Sequence, residues 1–147
     1  MLNTEIFRIF VVMEKYYIPS IEELHEGFEI HVPTIARYEK HILTKEDLIN
    51  ACKFGISREV VKYLDKEDIE ELGWGKGKFL NHEFYEFSTF FGEPKRENQW
   101  TLRFWKKLIA NQYNCIITQT TSGHSRFLGE IKNKSELKRL MKQLNIL

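Results

Sequence analysis

The chain has 147 residues, of which 42% are hydrophobic and 29% charged, and its net charge is +1. This composition is typical of a globular protein that can bury a core, and it excludes a disordered or low-complexity chain. With 2 cysteines, the chain is neither a disulfide scaffold nor a four-cysteine zinc site, and we expect a reduced cytosolic protein.

The near-neutral total conceals a charge asymmetry along the chain. Residues 1–73 carry 9 Lys and Arg against 15 Asp and Glu, whereas residues 74–147 carry 13 against 6, which gives net charges of −6 and +7. We expect a single domain, 1–147, with an acidic helix-rich part and a basic part made of a sheet and a helix. Either the two parts neutralise each other, or each binds a partner of opposite charge.

The most apolar N-terminal stretch is IFRIFVVM, residues 6–13. It is too short to span a bilayer and contains Arg8, so we expect neither a membrane anchor nor a signal peptide. The sequence therefore predicts a soluble protein.

Three short capped helices are predicted in the acidic part. Ser20, Thr44 and Asp65 occupy N-cap positions, and a glycine ends each helical pattern. The first of these helices covers residues 20–26. Short strands are expected at FEIHV and REVVKYL.

The basic part changes to strand periodicity after Trp74. Four aromatic or β-branched runs, KFLNHEFYEFSTFF, QWTLRFWKKL, NCIITQT and SRFLGEIK, predict an antiparallel meander. The preceding GWGKGKF lacks the order of a phosphate-binding loop and is predicted as a flexible turn. The last predicted element is an amphipathic helix whose apolar residues form one stripe: Leu137, Leu140, Met141 and Leu144. The expected fold class is α+β, in which short N-terminal helices precede a meander of about four strands covered by the C-terminal helix.

No pattern in the sequence completes a catalytic or metal site. The segment IEELHEGFEIH brings His25 and His31 close to Glu22, Glu26 and Glu29, but it has no HExxH or comparable ligand spacing. Ser122 and His124 are neighbours in a predicted turn without a nucleophile elbow. We therefore expect a protein that is not an enzyme, with no catalytic residues, no metal and no cofactor.

Two charged faces are candidate binding surfaces. An acidic face could mimic phosphate in a basic channel, and a basic aromatic face could contact RNA by charge and stacking. The acidic face consists of Glu22, Glu26, Glu29, Glu67, Asp68, Glu70 and Glu71. The basic face consists of Arg103, Trp105, Lys106, Lys107, Arg126, Lys132, Lys134, Lys138, Arg139 and Lys142.

Three segments carry a resemblance: YYIPSIEELHEGFEIHV, VVKYLDKEDIEELGW and LGEIKNKSELKRLMKQLNI. At these segments the chain resembles a large group of small phage and prophage accessory proteins of Bacteroides-like and flavobacterial hosts. More narrowly, it looks like an anti-CRISPR inhibitor of the type VI-B RNA-guided ribonuclease.

The resemblance implies a protein of the bacterial host cytoplasm that binds a type VI CRISPR effector or its guide-RNA complex without catalysis. The alternative from the residues alone is a nucleic-acid-binding phage accessory protein that uses the basic C-terminal half. The sequence predicts no membrane partner and does not indicate an oligomeric state.

Overall fold

The computed structural model describes residues 15–56, 58–79, 82–91, 94, 96–106 and 113–147. Within its strands, the side chains of residues 78–79, 82–83, 90–91, 105–106 and 113–114 are outside this description. The predicted apolar stretch, 6–13, also lies outside the described residues. The chain divides into two compact units, Met1–Tyr63 and Leu64–Leu147, which we name unit 1 and unit 2 and describe separately.

Unit 1 is built from two antiparallel strand pairs and one helix. Its elements are β1 (Tyr16–Tyr17), a 3-10 turn (Ile21–Glu23), β2 (Glu29–Pro33), β3 (Tyr38–Ile42), α1 (Lys45–Phe54) and β4 (Val61–Lys62). β2 and β3 form a hairpin whose turn is closed by hydrogen bonds between Thr34 and Arg37. β1 pairs with β4, and a bridge between His31 and Val60 connects the two pairs.

The predicted cap of α1 is confirmed. The Thr44 side chain accepts a hydrogen bond from the Asp47 N–H, and the Asp47 carboxylate accepts one from the Thr44 N–H, which makes a capping box. Gly55, at φ 78°, ends the helix. Below it, a small core contains Phe28, Ile30, Leu43 and Val61.

Unit 2 is dominated by one antiparallel sheet. Its elements are α2 (Lys66–Glu71), β5 (Gly75–Phe79), β6 (His82–Phe91), β7 (Arg96–Lys106), β8 (Tyr113–Gln119), β9 (His124–Glu130) and α3 (Lys134–Gln143). The five strands are hydrogen-bonded in chain order, β5 to β9, so every connection joins neighbours in the sheet. Such local pairing needs no crossover connection.

The core of unit 2 lies between one face of this sheet and α3. Leu102 and Ile117 from the sheet and Leu137 and Met141 from α3 are completely buried in one cluster. Burying each such side chain contributes about 1.5–3 kcal/mol. Trp74 is anchored in the same cluster, since its indole N–H lies 3.2 Å from the Met141 Sδ.

The predicted α+β fold class, with helices preceding the sheet, is wrong. The described part of the chain is mostly β, with nine strands and three short α-helices. In place of the helix predicted over residues 20–26 there is a 3-10 turn of three residues, Ile21–Glu23, and the Ser20 side chain makes no capping hydrogen bond. The segment YEKHI, for which the sequence analysis predicts no strand, forms β3.

The meander also differs from the predicted four strands. GWGKGKF contains β5 rather than a flexible turn, and KFLNHEFYEFSTFF contributes to both β5 and β6. The sheet tolerates glycines in β5 because the ring of Phe84 lies where a side chain of Gly77 would be.

No helix in the described part of the chain is both long and apolar enough to cross a membrane.

Candidate binding surfaces

The side of the sheet opposite α3 carries a row of paired side chains. Phe84 is paired with Arg103, Arg103 with Ile116, and Ile116 with Leu128. Each is one position away in its strand from Tyr85, Leu102, Ile117 and Phe127, which belong to the core. Because successive side chains point to opposite faces of a sheet, the four lie on the other face. We name Phe84, Arg103, Ile116 and Leu128 the cross-strand row.

The cross-strand row places an exposed arginine next to a buried aromatic ring and ends at an exposed leucine. The guanidinium carbon of Arg103 lies 6.0 Å from the ring centroid of Phe84, at the outer limit of a cation–π contact. On β5, Gly77 leaves the space that the Phe84 ring occupies, and Phe84 is only 9% exposed. Leu128 is 68% exposed, so the far end of the row is open to solvent.

The described residues of the predicted basic face are divided between the two sides of the sheet. Arg103 belongs to the cross-strand row, whereas Lys138, Arg139 and Lys142 lie exposed on α3, which packs on the other side of the sheet. Trp105 and Lys106 lie in β7, but their side chains are outside the described residues, as is the whole of Lys107.

The remaining predicted basic residues are engaged within unit 2. The Lys134 ammonium forms an ion pair with Glu71, and Lys132 is half-buried before α3. The guanidinium of Arg126 donates two hydrogen bonds to the Gln119 Oε1, at 3.1 and 2.7 Å. Gln119 in turn donates to Asn98 across the sheet, so Arg126 is part of a polar network.

The predicted acidic residues are distributed over both units. In unit 1, Glu22 lies in the 3-10 turn, Glu26 in the following turn and Glu29 in β2. Unit 2 contains the other four acidic residues, which all lie in α2: Glu67, Asp68, Glu70 and Glu71. Asp68 is 4% exposed and caps this helix together with Asp65.

The two histidines of IEELHEGFEIH lie in different surroundings. His25 Nδ1 is 3.0 Å from the Glu26 carbonyl oxygen, whereas His31 is buried beside the Tyr16 ring. Among the residues that the structure describes, no three His, Cys, Asp or Glu side chains converge as a metal site would require.

A cleft of about 440 Å³ opens in unit 1 between the β2–β3 hairpin and α1. Val32 and Phe54 contribute apolar walls, and His41 and Asp47 form a polar edge in which the His41 Nε2 and the Asp47 Oδ2 are 3.0 Å apart. The hydrogen bonds from the backbone and hydroxyl of Thr44, followed by that of His41, lower the pKa of Asp47 to about 2. The carboxylate is therefore ionised at neutral pH.

Unit 1 also contains a cluster that the sequence did not predict. The rings of Tyr16 and Tyr38 are stacked with centroids 4.6 Å apart, and the His31 ring meets Tyr16 at 5.3 Å. Three lysines surround these rings. We name this set the tyrosine–lysine cluster. It consists of Lys15, Tyr16, His31, Tyr38, Lys40 and Lys62.

These residues come from four separate segments of a region whose net charge is negative, which is why the charge of the whole half concealed them. The available signal was the alternation of Tyr38 and Lys40 in RYEKHI, which indicates a strand with aromatic and basic residues on one face.

Comparison with protein-family models, with curated proteins and with solved structures found no match for the chain.

Proposed function

We propose that the chain is a phage-encoded, anti-CRISPR-type inhibitor. It would bind a type VI RNA-guided nuclease effector or its guide-RNA complex in the cytoplasm of the bacterial host, without catalysis or a cofactor. The resemblance of the three sequence segments supports the partner, and the cross-strand row is the structural observation that supports a binding role.

The row has the chemistry of a protein-binding hot spot. Arginine and aromatic residues dominate the energetics of protein interfaces when they are held in place before binding. Here the Arg103 guanidinium lies 6.0 Å from the ring centroid of Phe84, and Leu128 supplies apolar area that a partner can bury. A partner that covers Leu128 and pairs with Arg103 would gain binding energy from both the buried apolar area and the contact with the guanidinium.

The alternative is a nucleic-acid-binding accessory protein that uses the basic C-terminal half. The exposed side of α3 supports it, since Lys138, Arg139 and Lys142 are all accessible there. This surface lies on the opposite side of the sheet from the cross-strand row, so substitutions can separate the two functions.

The test is a pull-down of a purified type VI effector, together with a target-cleavage assay in which the protein is added before or after the guide RNA. Leu128→Glu places a charge on the row, and Leu147→Glu makes the same change at another exposed leucine of unit 2. Loss of a hot spot costs about 2 kcal/mol or more, which is about a thirtyfold loss of affinity.

We expect Leu128→Glu and Arg103→Glu each to weaken binding about thirtyfold and to reduce inhibition accordingly, and Leu147→Glu to retain both. If the wild-type chain neither captures the effector nor reduces cleavage, the inhibitor proposal is wrong. If Arg139→Glu removes the binding and Leu128→Glu does not, the basic side of α3 is the functional surface.

A further inference from the structure

A second cleft, of about 490 Å³, opens in unit 2 at the edge of the core. It lies on the α3 side of the sheet, because Asn98 alternates along β7 with Trp100 and Leu102, which belong to the core beneath α3. We name it the amide cleft, since four side-chain amides and one guanidinium line it: Asn98, Gln119, Gln143, Asn145 and Arg126. No carboxylate is among the described residues that line this cleft.

Arg126 reaches the amide cleft because the pairing of β8 with β9 is irregular. Ile117 is paired with Phe127 and Thr118 with Ser125. The register therefore skips Arg126, which is the extra residue of a β-bulge. In a regular strand Arg126 would point away from the core, since its neighbour Phe127 packs against the core. A bulge re-aims a side chain, and here it brings the guanidinium to the α3 side of the sheet.

Hydrogen bonds fix the orientation of two of the amides. The Arg126 guanidinium donates twice to the Gln119 Oε1. A guanidinium has donors alone, so the oxygen of this amide faces Arg126 and its nitrogen faces Asn98. The Gln119 Nε2 donates to the Asn98 Oδ1 at 2.8 Å, and the Thr121 hydroxyl donates to the same oxygen at 2.7 Å. Both lone pairs of the Asn98 oxygen are therefore occupied, and its Nδ2 is left as a donor.

The groups of this network that remain open to a ligand are donors. Within the described part of the chain, neither the Asn98 Nδ2 nor the Arg126 Nη1 has a hydrogen-bond partner. Both residues line the cleft, and Arg126 is exposed while Asn98 is half-buried, so neither is sealed in the core. The fixed oxygens of Asn98 and Gln119 already accept hydrogen bonds. The network therefore matches a group that presents only acceptors, which is the property of an oxyanion.

The charge and the walls of the amide cleft favour a carboxylate over a phosphate. Arg126 is the one cation among the described lining residues, which matches the single charge of a carboxylate, whereas a phosphate group carries about −1.5 to −2. Guanidinium and amide groups are planar and fit the planar carboxylate. Trp100 and Leu144 form apolar walls, and the Trp100 indole is held by a hydrogen bond to the Thr89 hydroxyl at 3.4 Å. These walls suit a ligand whose carboxylate is attached to an apolar group.

We propose that the amide cleft binds a small organic monocarboxylate. The carboxylate oxygens accept hydrogen bonds from the Arg126 Nη1 and the Asn98 Nδ2, and the apolar part of the ligand lies against Trp100 and Leu144. The cleft lies on the side of the sheet opposite the cross-strand row, so this site is separate from the surface that carries the proposed function.

The experiment titrates the full, isotope-labelled chain with hydrocinnamate and follows the indole N–H signal of Trp100 by NMR. Hydrocinnamamide, which has the same shape without the charge, is the ligand control. The first variant, Asn98→Asp, keeps the oxygen to which Gln119 and Thr121 donate but replaces the free Nδ2 by a second oxygen. Its matched control, Ser88→Asp, introduces the same charge at an exposed position of β6, on the other face of the sheet.

The second variant is Arg126→Gln, and its matched control is Arg103→Gln on the opposite face. Both arginines are exposed, so neither replacement should unfold the sheet. We expect the wild-type chain to bind hydrocinnamate with a Kd of about 1 mM, as is usual for a ligand of this size. Asn98→Asp and Arg126→Gln should each weaken binding about tenfold or more, because each removes a hydrogen bond to a charged group. The two control variants should bind nearly as wild type.

Four results would overturn the proposal: no shift of the Trp100 signal with hydrocinnamate, equal affinity for hydrocinnamamide, equal loss in Ser88→Asp and Asn98→Asp, or tighter binding of inorganic phosphate than of hydrocinnamate. The amide spectrum of each variant shows whether it is folded, and if Asn98→Asp is not, the comparison of Arg126→Gln with Arg103→Gln decides. Effector capture is measured separately, so an Arg126→Gln chain that loses the carboxylate but still inhibits the nuclease leaves the proposed function intact.

Discussion

Gly77 in β5 offers a sharp test of the cross-strand row, because the ring of Phe84 occupies the place of its missing side chain. A methyl group at position 77 would lie less than 3.0 Å from three atoms of that ring. Phe84 is 9% exposed, so the ring cannot swing freely into solvent. We therefore expect Gly77→Ala to destabilise unit 2 and to displace Phe84 from Arg103.

The magnitude follows from two opposing terms. Replacing a strand glycine by alanine normally stabilises by about 0.5–1 kcal/mol, because the unfolded chain loses freedom. Forcing an extra methyl into a packed site costs about 1–3 kcal/mol, so Gly77→Ala should lower the free energy of unfolding by about 1–2 kcal/mol. Gly75→Ala is the matched control in the same strand, since its nearest neighbour, a backbone oxygen of Glu86, would be 3.8 Å away. That control should be neutral or slightly stabilising.

Urea unfolding followed by tryptophan fluorescence measures the difference, because all 3 tryptophans of the chain lie within Leu64–Leu147. With an m value of about 1–3 kcal/mol/M, the midpoint of Gly77→Ala should fall by about 0.5–1.5 M. In a Phe84→Leu background the cost should largely disappear, since leucine lacks the Cε2 and Cζ atoms that the methyl would meet. A midpoint for Gly77→Ala equal to that of Gly75→Ala, or a cost that persists with Phe84→Leu, would refute the reasoning.

Three further predictions concern the cores and the titratable groups. Leu137→Ala should lower the free energy of unfolding by about 3 kcal/mol in the same urea assay, whereas exposed Lys138→Ala should change it by less than about 0.5 kcal/mol. Burial raises the pKa of the Cys115 thiol to about 12, so in the native protein an aromatic disulfide reagent should label exposed Cys52 and reach Cys115 only on unfolding; rapid release of two thiolates would contradict this. Burial lowers the pKa of His31 below 6.5, so the unfolded chain binds a proton at this ring more tightly than the folded chain does. The free energy of unfolding of unit 1 should therefore fall as the pH decreases through about 6.5. Urea unfolding followed by far-UV circular dichroism at several pH values measures this slope, and His31→Gln should flatten it.

The parts of the fold that the sequence predicted well are those fixed by local interactions. The capping boxes at Thr44 and Asp65 form as their spacing indicates, since all the atoms involved lie within one helical turn. The stripe on α3 also contributes Leu137 and Met141 to the core. In both cases the periodicity of a single element carries the information.

The parts that failed depend on contacts between distant segments. Ser20 has the spacing of a cap, yet it makes no capping bond and the helix is reduced to one turn. The glycines of GWGKGKF predict a turn, whereas β5 forms there, and the Phe84 ring on the neighbouring strand occupies the space beside Gly77. The tyrosine–lysine cluster could not be predicted for the same reason, since Tyr16 and Tyr38 meet only after the strands have paired.

The net charges of the two compact units are much smaller than those of residues 1–73 and 74–147. Much of the acidity of residues 1–73 comes from the segment of α2, which the compact units assign to Leu64–Leu147, where Glu71 pairs with Lys134. Counted by unit, residues 1–63 carry a net charge of −2 and residues 64–147 a net charge of +3. At physiological salt, charges separated by more than about 8 Å are largely screened, so such small totals exert little attraction on a distant partner. A partner of this chain would therefore have to be attracted by local groupings among the described residues, such as the cross-strand row around Arg103 or the exposed basic side of α3.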